Sequence, residues 1–287
     1  MMSKLDACLI KHLSLIKVIL AVNLLVLAVL LAVAAGVLHA RYEGTLPLYR
    51  LWLGGGLPLP GPVVLGRDEL MSADYRDANV ALHRAFYQSM PDRLHRPLHM
   101  PAHASCAVVG SSGNLLSSGY GPQIDAHSVV FRINEAPTRG YTADVGQKTT
   151  VRVAWVGAVH KLAAGPGQDL VLTGVLPEYA SVLLDYASLF ATYGSVHKVH
   201  EHYIQRVRRY TRAKTSTGLL AVFMATTLCD RVDVYGFGQR APGQWDHYFD
   251  STVSMPNQGQ GHDTVNETGL LKTLQQLGYI RLHAGVR

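Results

Sequence analysis

The chain opens with a long, unbroken apolar segment. Residues 18–38 read VILAVNLLVLAVLLAVAAGVL, 21 residues without a charge. At 1.5 Å per residue, a helix of this length spans about 30 Å, the thickness of a bilayer's hydrocarbon core. Three lysines against one aspartate precede the segment, and the positive-inside rule therefore leaves residues 1–17 in the cytosol. The pattern predicts one transmembrane signal anchor at 18–38, with the following chain in a lumenal or extracellular compartment.

The first hundred residues also allow an alternative to the anchor and predict a stem. The triplet Ala32-Val33-Ala34 resembles a small-residue cleavage site, so a cleavable signal peptide is the alternative to the anchor. Residues 39–95 are predicted to form a stem, because LGGGLPLPGP at 53–62 is rich in Gly and Pro and suits an irregular segment. Within it, residues 67–87 predict only a weak helix.

From Cys106 onward the pattern becomes that of an α/β domain. Short apolar or alternating segments of strand length, rich in β-branched residues, occur at 106–110, 128–133, 149–155, 169–175 and 231–237. Helices are predicted at 216–229, where Ser216 and Thr217 can cap an apolar segment, and at about 268–277. Strands that alternate with helices indicate a central, mostly parallel sheet covered on both faces. Such sheets bind ligands at the carboxyl ends of their strands.

Charge and cysteine content narrow the picture further. Charged residues make up 16% of the chain and hydrophobic residues 48%, which excludes an intrinsically disordered protein. The net charge of +6 favours anionic partners without naming one. No C-x-x-C pair offers a zinc site. If the predicted topology holds, Cys8 is cytosolic, and Cys106 and Cys229 are the only two cysteines in an oxidising compartment, so we predict that they form a disulfide.

Two segments after predicted strands could bind an anion. Residues 110–114, GSSGN, follow the first strand, and a loop of this composition can turn its N–H groups toward a phosphate, although an ordinary tight turn is equally consistent. Ser216, Thr217 and Gly218 begin a helix whose N-terminus could be an anion site or simply a capped end. Two histidines stand out by context, His247 in GQWDHYFD and His262 in HDTVNE.

Four segments of the chain, in order, carry a resemblance to a known family. The segment that begins CAVVGSSGNLL and runs to TADVG resembles the large sialylmotif of animal-type sialyltransferases, glycosyltransferase family 29. STGLLAVFMATTLCDRVDVYGFG resembles the small sialylmotif, HYFD the third motif, and HDTVNE the very small motif with its His-x4-Glu spacing. GYGPQID, RINEAPT and the W-x-H-Y pattern are most similar to the β-galactoside α2,3-sialyltransferase branch.

The resemblance implies a fold and an activity. The implied fold is a variant GT-A fold with a Rossmann-like, mostly parallel sheet, here as a lumenal domain at 96–287 behind a type II Golgi membrane anchor. The implied reaction moves sialic acid from CMP-sialic acid to a terminal galactose of a glycan, with inversion and an α2,3 linkage. The partners are then this donor, a galactose-terminated acceptor and the membrane; neither a nucleic acid nor a metal cofactor is expected, and no Asp-x-Asp pair is present.

The resemblance also assigns roles to individual residues. Contacts to the CMP donor are implied for residues of the large, small and third motifs, namely Asn114, Asn134, Ser216, Thr217, Gly218, Gly238 and His247. His247 matches the histidine that supports the phosphate, and His262 matches the histidine proposed as general base. Cys106 and Cys229 match the family's disulfide. Glu267 is expected to be a structural acid behind the site.

The chain departs from the family pattern at two places. Ser111 stands where Asn is usual, and Lys214-Thr215 where Tyr-Pro often precedes Ser-Thr-Gly. The alternatives are CMP-dependent transfer of a related acidic keto-sugar, an α2,6 or α2,8 linkage, and a non-catalytic membrane-anchored glycan-binding protein. The sequon at Asn266 overlaps the very small motif.

Overall fold

The computed structural model describes most of the chain after residue 99. The described residues are 22–24, 26, 27, 57, 59, 61–65, 67–74, 76, 80–88, 90–98, 100–174, 186–211, 214–251 and 264–285. The chain forms two compact units, residues 1–46 and 47–287. In the first unit the described residues are helical and exposed. Within the described residues no helix has both the length and the apolar character needed to cross a bilayer; most of the predicted anchor at 18–38 lies outside them.

Strands and helices alternate along the second unit. The strands are β1 Ser105–Val109, β2 Val129–Ile133, β3 Val151–Trp155, β4 Asp169–Thr173, β5 Ser195–Lys198, β6 Arg231–Tyr235 and β7 Arg281–His283. The helices are α1 Arg67–Met71, α2 Val80–Gln88, α3 Gly121–Asp125, α4 Thr142–Val145, α5 Ala187–Phe190, α6 Glu201–Arg208, α7 Thr217–Leu228 and α8 Thr264–Gln276. Short 3-10 helices lie at Asp92–His95, Gly113–Leu115 and Val156–Lys161.

The strands form one seven-stranded sheet in the order β5-β4-β3-β2-β1-β6-β7. Each pair of neighbouring strands is parallel. The predicted α/β class with a parallel sheet is therefore confirmed. Because the chain moves outward from β1 to β5 and then returns to place β6 beside β1, the strand order reverses between β1 and β6. In open α/β sheets this reversal point is where ligands bind, outside the carboxyl ends of the strands.

Alternate residues of each strand face two different hydrophobic cores. In β1, Cys106 and Val108 belong to the core that includes α7, whereas Ala107 and Val109 belong to the core on the other face. Helix α7, TGLLAVFMATTL, buries seven consecutive side chains from residue 219 to residue 225. A helix that is apolar on all sides is buried on all sides. This buried helix fixes where its own N-terminus lies relative to the sheet.

The predicted disulfide is confirmed. Cys106 in β1 is bonded to Cys229, the residue that caps α7, with an S–S distance of 2.01 Å and a sequence separation of 123. The bond lies at the beginning of β1 and the end of α7. It therefore braces the edge of the sheet opposite the strands' carboxyl ends.

The structure adds elements that the sequence pattern did not predict. Strand β5, SVHK, and helix α6 both escaped prediction. Part of the predicted stem also packs against the sheet: Leu65 N–H donates to Lys198 O at 2.8 Å, and His200 N–H donates to Val63 O at 2.9 Å. Leu70 and Leu94, also within 39–95, are fully buried. Leu65, Leu70 and Leu94 belong to the same hydrophobic core as residues of β4 and β5.

Candidate active site

The loop after β1 is fastened to the loop after β6. Gly110 N–H donates to Tyr235 O at 2.8 Å and Ser112 N–H to Gly236 O at 3.0 Å. Ser112 Oγ donates to Gly238 O at 2.8 Å. A Cβ at residue 110 would lie 2.3 Å from Gly236 O, so the close approach of the two loops requires glycine there. The loops after β1 and β6 are therefore held firmly against each other at the point where the strand order reverses.

These contacts also show how the first loop uses its N–H groups. Besides Gly110 and Ser112, Gly113 N–H donates to Asp246 O at 2.8 Å and Asn114 N–H to Ser112 Oγ at 3.2 Å. Four of the five N–H groups of residues 110–114 are thus bound to protein oxygens. The expectation that this loop turns its N–H groups toward a phosphate is wrong for these four, and the tight-turn alternative describes the loop better.

Asn114 lies in the middle of this arrangement. Its side-chain nitrogen donates to Phe237 O at 2.9 Å, which ties the end of β1 to the residue two positions after β6. Its side-chain oxygen is buried and has no hydrogen-bond partner among the described residues. A buried polar atom without a partner costs free energy unless a ligand or water supplies one. The side-chain NH2 group of Asn114 is therefore held by the fold, whereas its side-chain oxygen can still accept a hydrogen bond from a ligand or water.

Asn134 follows β2 in a strained backbone conformation. Its φ angle is +46°, a region that residues other than glycine rarely adopt. Its side-chain oxygen accepts from Trp155 N–H at 2.9 Å, and its own N–H donates to Val153 O at 2.9 Å. These bonds join the carboxyl ends of β2 and β3. These hydrogen bonds hold Asn134 in this conformation, which keeps its polar side chain at the carboxyl edge of the sheet.

His247 lies beside the first loop. It forms an isolated antiparallel bridge with Ser112, and the next residue, Tyr248, donates its N–H to Ser111 O at 3.0 Å. Burial lowers the pKa of His247 below the usual value, and the carboxylates of Glu135 and Asp250 oppose this shift only in part. The ring is therefore more neutral than an exposed histidine at the same pH. A neutral imidazole can still donate one hydrogen bond.

Ser216 caps helix α7 and is held by an acid from another helix. Its Oγ accepts from Leu219 N–H at 3.1 Å, while its own N–H and Oγ–H donate to the two carboxylate oxygens of Glu267 at 2.7 and 2.5 Å. Glu267 lies in α8 and is 9% exposed. The capping alternative is confirmed for Ser216. The prediction that Glu267 is a structural acid is confirmed as well.

Thr217 and Gly218 complete the start of α7. Gly218 faces Phe237, whose ring carbon would be 3.0 Å from an added Cβ. This contact places the start of α7 against the residue that follows β6. Gly238, with a φ of +88°, ends the β6 loop and accepts from Ser112 Oγ. The predicted site residues of the large, small and third motifs thus meet at the carboxyl edge of β1, β2 and β6.

One residue at this edge was not singled out from the sequence. Asp246 directly precedes His247 and is 6% exposed. Its Oδ2 forms an ion pair with Arg240 at 3.0 Å, and its carboxylate would lie 2.8 Å from a Cβ at residue 113. Its position next to His247 in GQWDHYFD was the available signal. Asp246 fixes the third-motif segment against the first loop.

Two predictions about the site, the role of His262 and the absence of a metal cofactor, stay predictions. His262, the predicted general base, lies outside the described residues. Among the residues that the structure does describe, no group of three or more His, Cys, Asp or Glu side chains could hold a metal ion.

The family model for glycosyltransferase family 29 (sialyltransferase) matches residues 67–173 and 182–279. The chain belongs to this family. A relative from Pan troglodytes, named CMP-N-acetylneuraminate-beta-galactosamide-alpha-2,3-sialyltransferase 1, is 35% identical over 207 residues. The match covers 63% of this chain and 58% of that relative, so the chain matches little more than half of the relative's length.

Solved structures and a plant protein show the same relationship. Two crystal structures of a mammalian sialyltransferase match with a TM-score of 0.59 at 29% and 28% identity, over 78% of this chain and 90% of theirs. One of them holds Gal-beta-1-3GalNAc-ortho-nitrophenol. Sialyltransferase-like protein 5 of Oryza sativa subsp. japonica is 33% identical over 198 residues, which is 67% of this chain and 38% of that protein. The family match also begins at residue 67, inside the predicted stem.

Proposed function

We propose that this chain transfers sialic acid from CMP-sialic acid to a terminal galactose of a glycoprotein or glycolipid glycan, forming an α2,3 linkage. The observation that carries the proposal is that Asn114, Gly238 and His247 come together at the carboxyl edge of β1 and β6 in a chain of the sialyltransferase family. A relative named as an α2,3-sialyltransferase supports the donor and the linkage. A relative's crystal structure with a galactose-containing ligand supports the acceptor.

The reaction is a single displacement at the anomeric carbon of the sialic acid. The acceptor hydroxyl oxygen forms the new bond to this carbon, the bond from the carbon to the phosphate oxygen breaks, and CMP leaves with the electron pair. His262 takes the proton of the acceptor hydroxyl, because an imidazole with an ordinary pKa near 6.5 suits proton transfer near neutral pH. His247 donates a hydrogen bond to the phosphate. Attack from the face opposite CMP inverts the configuration.

No metal ion is part of this proposal. CMP-sialic acid carries one phosphate, and its charge can be met by protein groups, which replaces the divalent ion that a nucleotide diphosphate would need. The residues available for this purpose are His247 and the polar groups at the carboxyl edge. Transfer should therefore continue in the presence of a chelator.

The proposed setting is the Golgi membrane, with a single span at 18–38 and a lumenal catalytic domain of the variant GT-A type. The uncharged segment supports the span, and the disulfide between Cys106 and Cys229 is consistent with an oxidising compartment. Protease treatment of sealed Golgi vesicles should spare the chain after residue 38. Digestion of that part without detergent would contradict the topology.

A second candidate function is transfer of a related acidic keto-sugar from a CMP donor. The relative from Oryza sativa is named only as sialyltransferase-like, and that name leaves the transferred sugar open. The two candidates share this site and the displacement, and differ only in the sugar.

A donor comparison tests the proposal. The full chain, purified in detergent, is incubated with a galactoside acceptor and either CMP-sialic acid or a CMP-linked keto-deoxy sugar acid, and product is measured by mass spectrometry. We expect kcat/KM to be higher for CMP-sialic acid. Preference for the other donor would favour the second candidate. A folded protein that uses neither donor would refute both.

A further inference from the structure

A cavity lies at the β5 side of the sheet, far from the proposed active site. It has a volume of about 550 Å³ and is lined by residues of β5, of α1 and of the segment 92–98. Strand β5 is the last strand of the sheet on this side, and β4, β3 and β2 lie between it and β1. At about 4.8 Å per strand spacing, β5 lies roughly 20 Å from β1. The cavity is therefore separate from the site at β1 and β6.

A chain of hydrogen bonds fixes the tautomer of His197, a buried residue of β5 that lines this cavity. Ser195 Oγ lies 2.6 Å from Asp169 Oδ1 and 2.7 Å from His197 Nε2. Because a carboxylate only accepts, the hydroxyl of Ser195 donates to Asp169, and Ser195 Oγ accepts from His197 Nε2–H. Burial lowers the pKa of His197 to about 4, which keeps the ring neutral near neutral pH. The other ring nitrogen, Nδ1, is therefore a hydrogen-bond acceptor.

His197 Nδ1 has no hydrogen-bond partner among the residues that the structure describes. The residue is 5% exposed, and its one side-chain hydrogen bond within the described residues is that to Ser195. Protein atoms do not fully enclose Nδ1, so it faces the cavity. A largely buried acceptor without a partner costs free energy until a ligand or water donates to it. The cavity thus offers an acceptor to a ligand that carries an N–H or O–H group.

The charges around the cavity favour a cation. Asp68 and Glu69, neighbours in α1, both line it. Glu69 accepts from His200 Nε2 at 2.9 Å, whereas Asp68 is exposed and forms no side-chain hydrogen bond or ion pair in the described part of the chain. The one Lys or Arg in the described lining is Arg96, which lies 3.8 Å from the carboxylate of Asp169. The described side chains here form no group that could hold a metal ion, so the cation that they suit is an organic one.

We propose that this cavity binds an organic cation through a guanidinium or ammonium group, which donates a hydrogen bond to His197 Nδ1 and whose charge is balanced by the carboxylate of Asp68. A guanidinium suits the site best, because it presents several N–H donors in a fixed planar arrangement. Cavities that bind small ligands have volumes of about 300 to 1,000 Å³, so this cavity has room for such a group and the atoms that carry it. An anion would be repelled by the carboxylates. The site is additional to the transferase site and does not depend on the proposed function.

Titration calorimetry of the full chain, purified in detergent, tests the proposal with N-acetyl-arginine amide. N-acetyl-citrulline amide is the matched ligand control, because it replaces the guanidinium group with a neutral urea group of similar shape. We expect the arginine compound to bind with a Kd of about 1 mM or less, and the citrulline compound to bind about tenfold more weakly. Saturating CMP should leave both Kd values unchanged, because the cavity lies far from β1 and β6.

Two substitutions remove the two proposed contacts. Asp68→Asn removes an exposed charge, and we expect it to raise the Kd for the arginine compound about fivefold. His197→Gln keeps a group that can bond to Ser195 Oγ but places none at the position of Nδ1, and we expect it to raise this Kd about tenfold. Asp74→Asn makes the same chemical change at an exposed carboxylate outside the cavity and should leave the Kd unchanged. If His197→Gln does not fold, the comparison of Asp68→Asn with Asp74→Asn decides.

Arginine amide, which has a free α-ammonium group, distinguishes two sources of the cation. Binding of the N-acetylated compound assigns the cavity to the basic side chain of a polypeptide, and binding of arginine amide alone assigns it to a free amino compound. The proposal would be overturned if folded protein bound neither compound, if the citrulline compound bound as tightly, or if Asp68→Asn left the Kd unchanged. Displacement of the arginine compound by CMP would also overturn it.

Discussion

The contact between Ser216 and Glu267 gives the sharpest prediction for a single substitution. Glu267→Gln keeps the shape of the side chain and removes its charge: the amide oxygen can still accept from Ser216 N–H, and the NH2 group then faces Ser216 Oγ, which must accept instead of donate. Both contacts are short, at 2.7 and 2.5 Å, and Glu267 is 9% exposed, so solvent screens them little. A hydrogen bond to a charged group contributes about 1.5 to 3 kcal/mol and a neutral one about 0.5 to 1.5, so each of the two bonds weakens by about 1 kcal/mol. We expect the free energy of unfolding to fall by about 2 kcal/mol.

The assay is thermal and urea unfolding of the purified chain, followed by circular dichroism. A loss of about 2 kcal/mol corresponds to a decrease in Tm of roughly 4 to 8 °C for a domain of this size. Glu201→Gln is the matched control, because Glu201 also accepts a hydrogen bond from a side chain, that of Gln205 at 2.9 Å, but on the surface. The control should change stability by less than about 0.5 kcal/mol. Equal effects of the two substitutions would refute the reasoning.

Three further predictions concern the disulfide, the metal and the two histidines. Replacing both Cys106 and Cys229 with alanine should destabilise the fold by about 5 kcal/mol in the chain-entropy model, because the closed loop is long; retention of the wild-type unfolding midpoint would contradict this. Transfer should persist in excess EDTA, and activity lost in EDTA and restored by manganese would count against the mechanism. His262→Ala should lower kcat by about 100-fold or more with donor binding kept, whereas His247→Ala should also weaken CMP binding; near-normal kcat in His262→Ala would assign the proton to another residue.

The parts of the fold that were predictable share a physical reason. Strands β1, β2 and β6 are almost entirely buried, so their sequences are mostly apolar and rich in valine, with Arg132 in β2 and Arg231 and Asp233 in β6 as the charged exceptions. Helix α7 is apolar on all sides and begins with a capping serine. Strand β5 has neither property, because it is four residues long and contains His197 and Lys198, which are buried by tertiary contacts that the local sequence does not reveal.

The sequence indicated which described residues meet at this edge of the sheet, but not which hydrogen bonds they form. The motifs indicated where Asn114, Ser216 and His247 belong, and parallel strands placed them at one edge. The pairing of Ser216 with Glu267, 51 residues away, and of Gly113 with Asp246 depends on how distant segments fold together. These pairings decide which N–H groups remain for a ligand. For that reason the N–H groups of the loop after β1 are less available to an anion than the loop's sequence indicates.

The most direct test of the account is the linkage of the product. The full chain is incubated with CMP-sialic acid and a galactoside that ends in Gal-β1-3GalNAc, and the sialylated product is analysed by NMR and by digestion with a sialidase specific for α2,3 linkages. We expect a single product whose sialic acid is joined to position 3 of the terminal galactose and is released by this sialidase. A product that resists the enzyme and carries its sialic acid at another position, or the absence of any product from folded protein, would contradict the account.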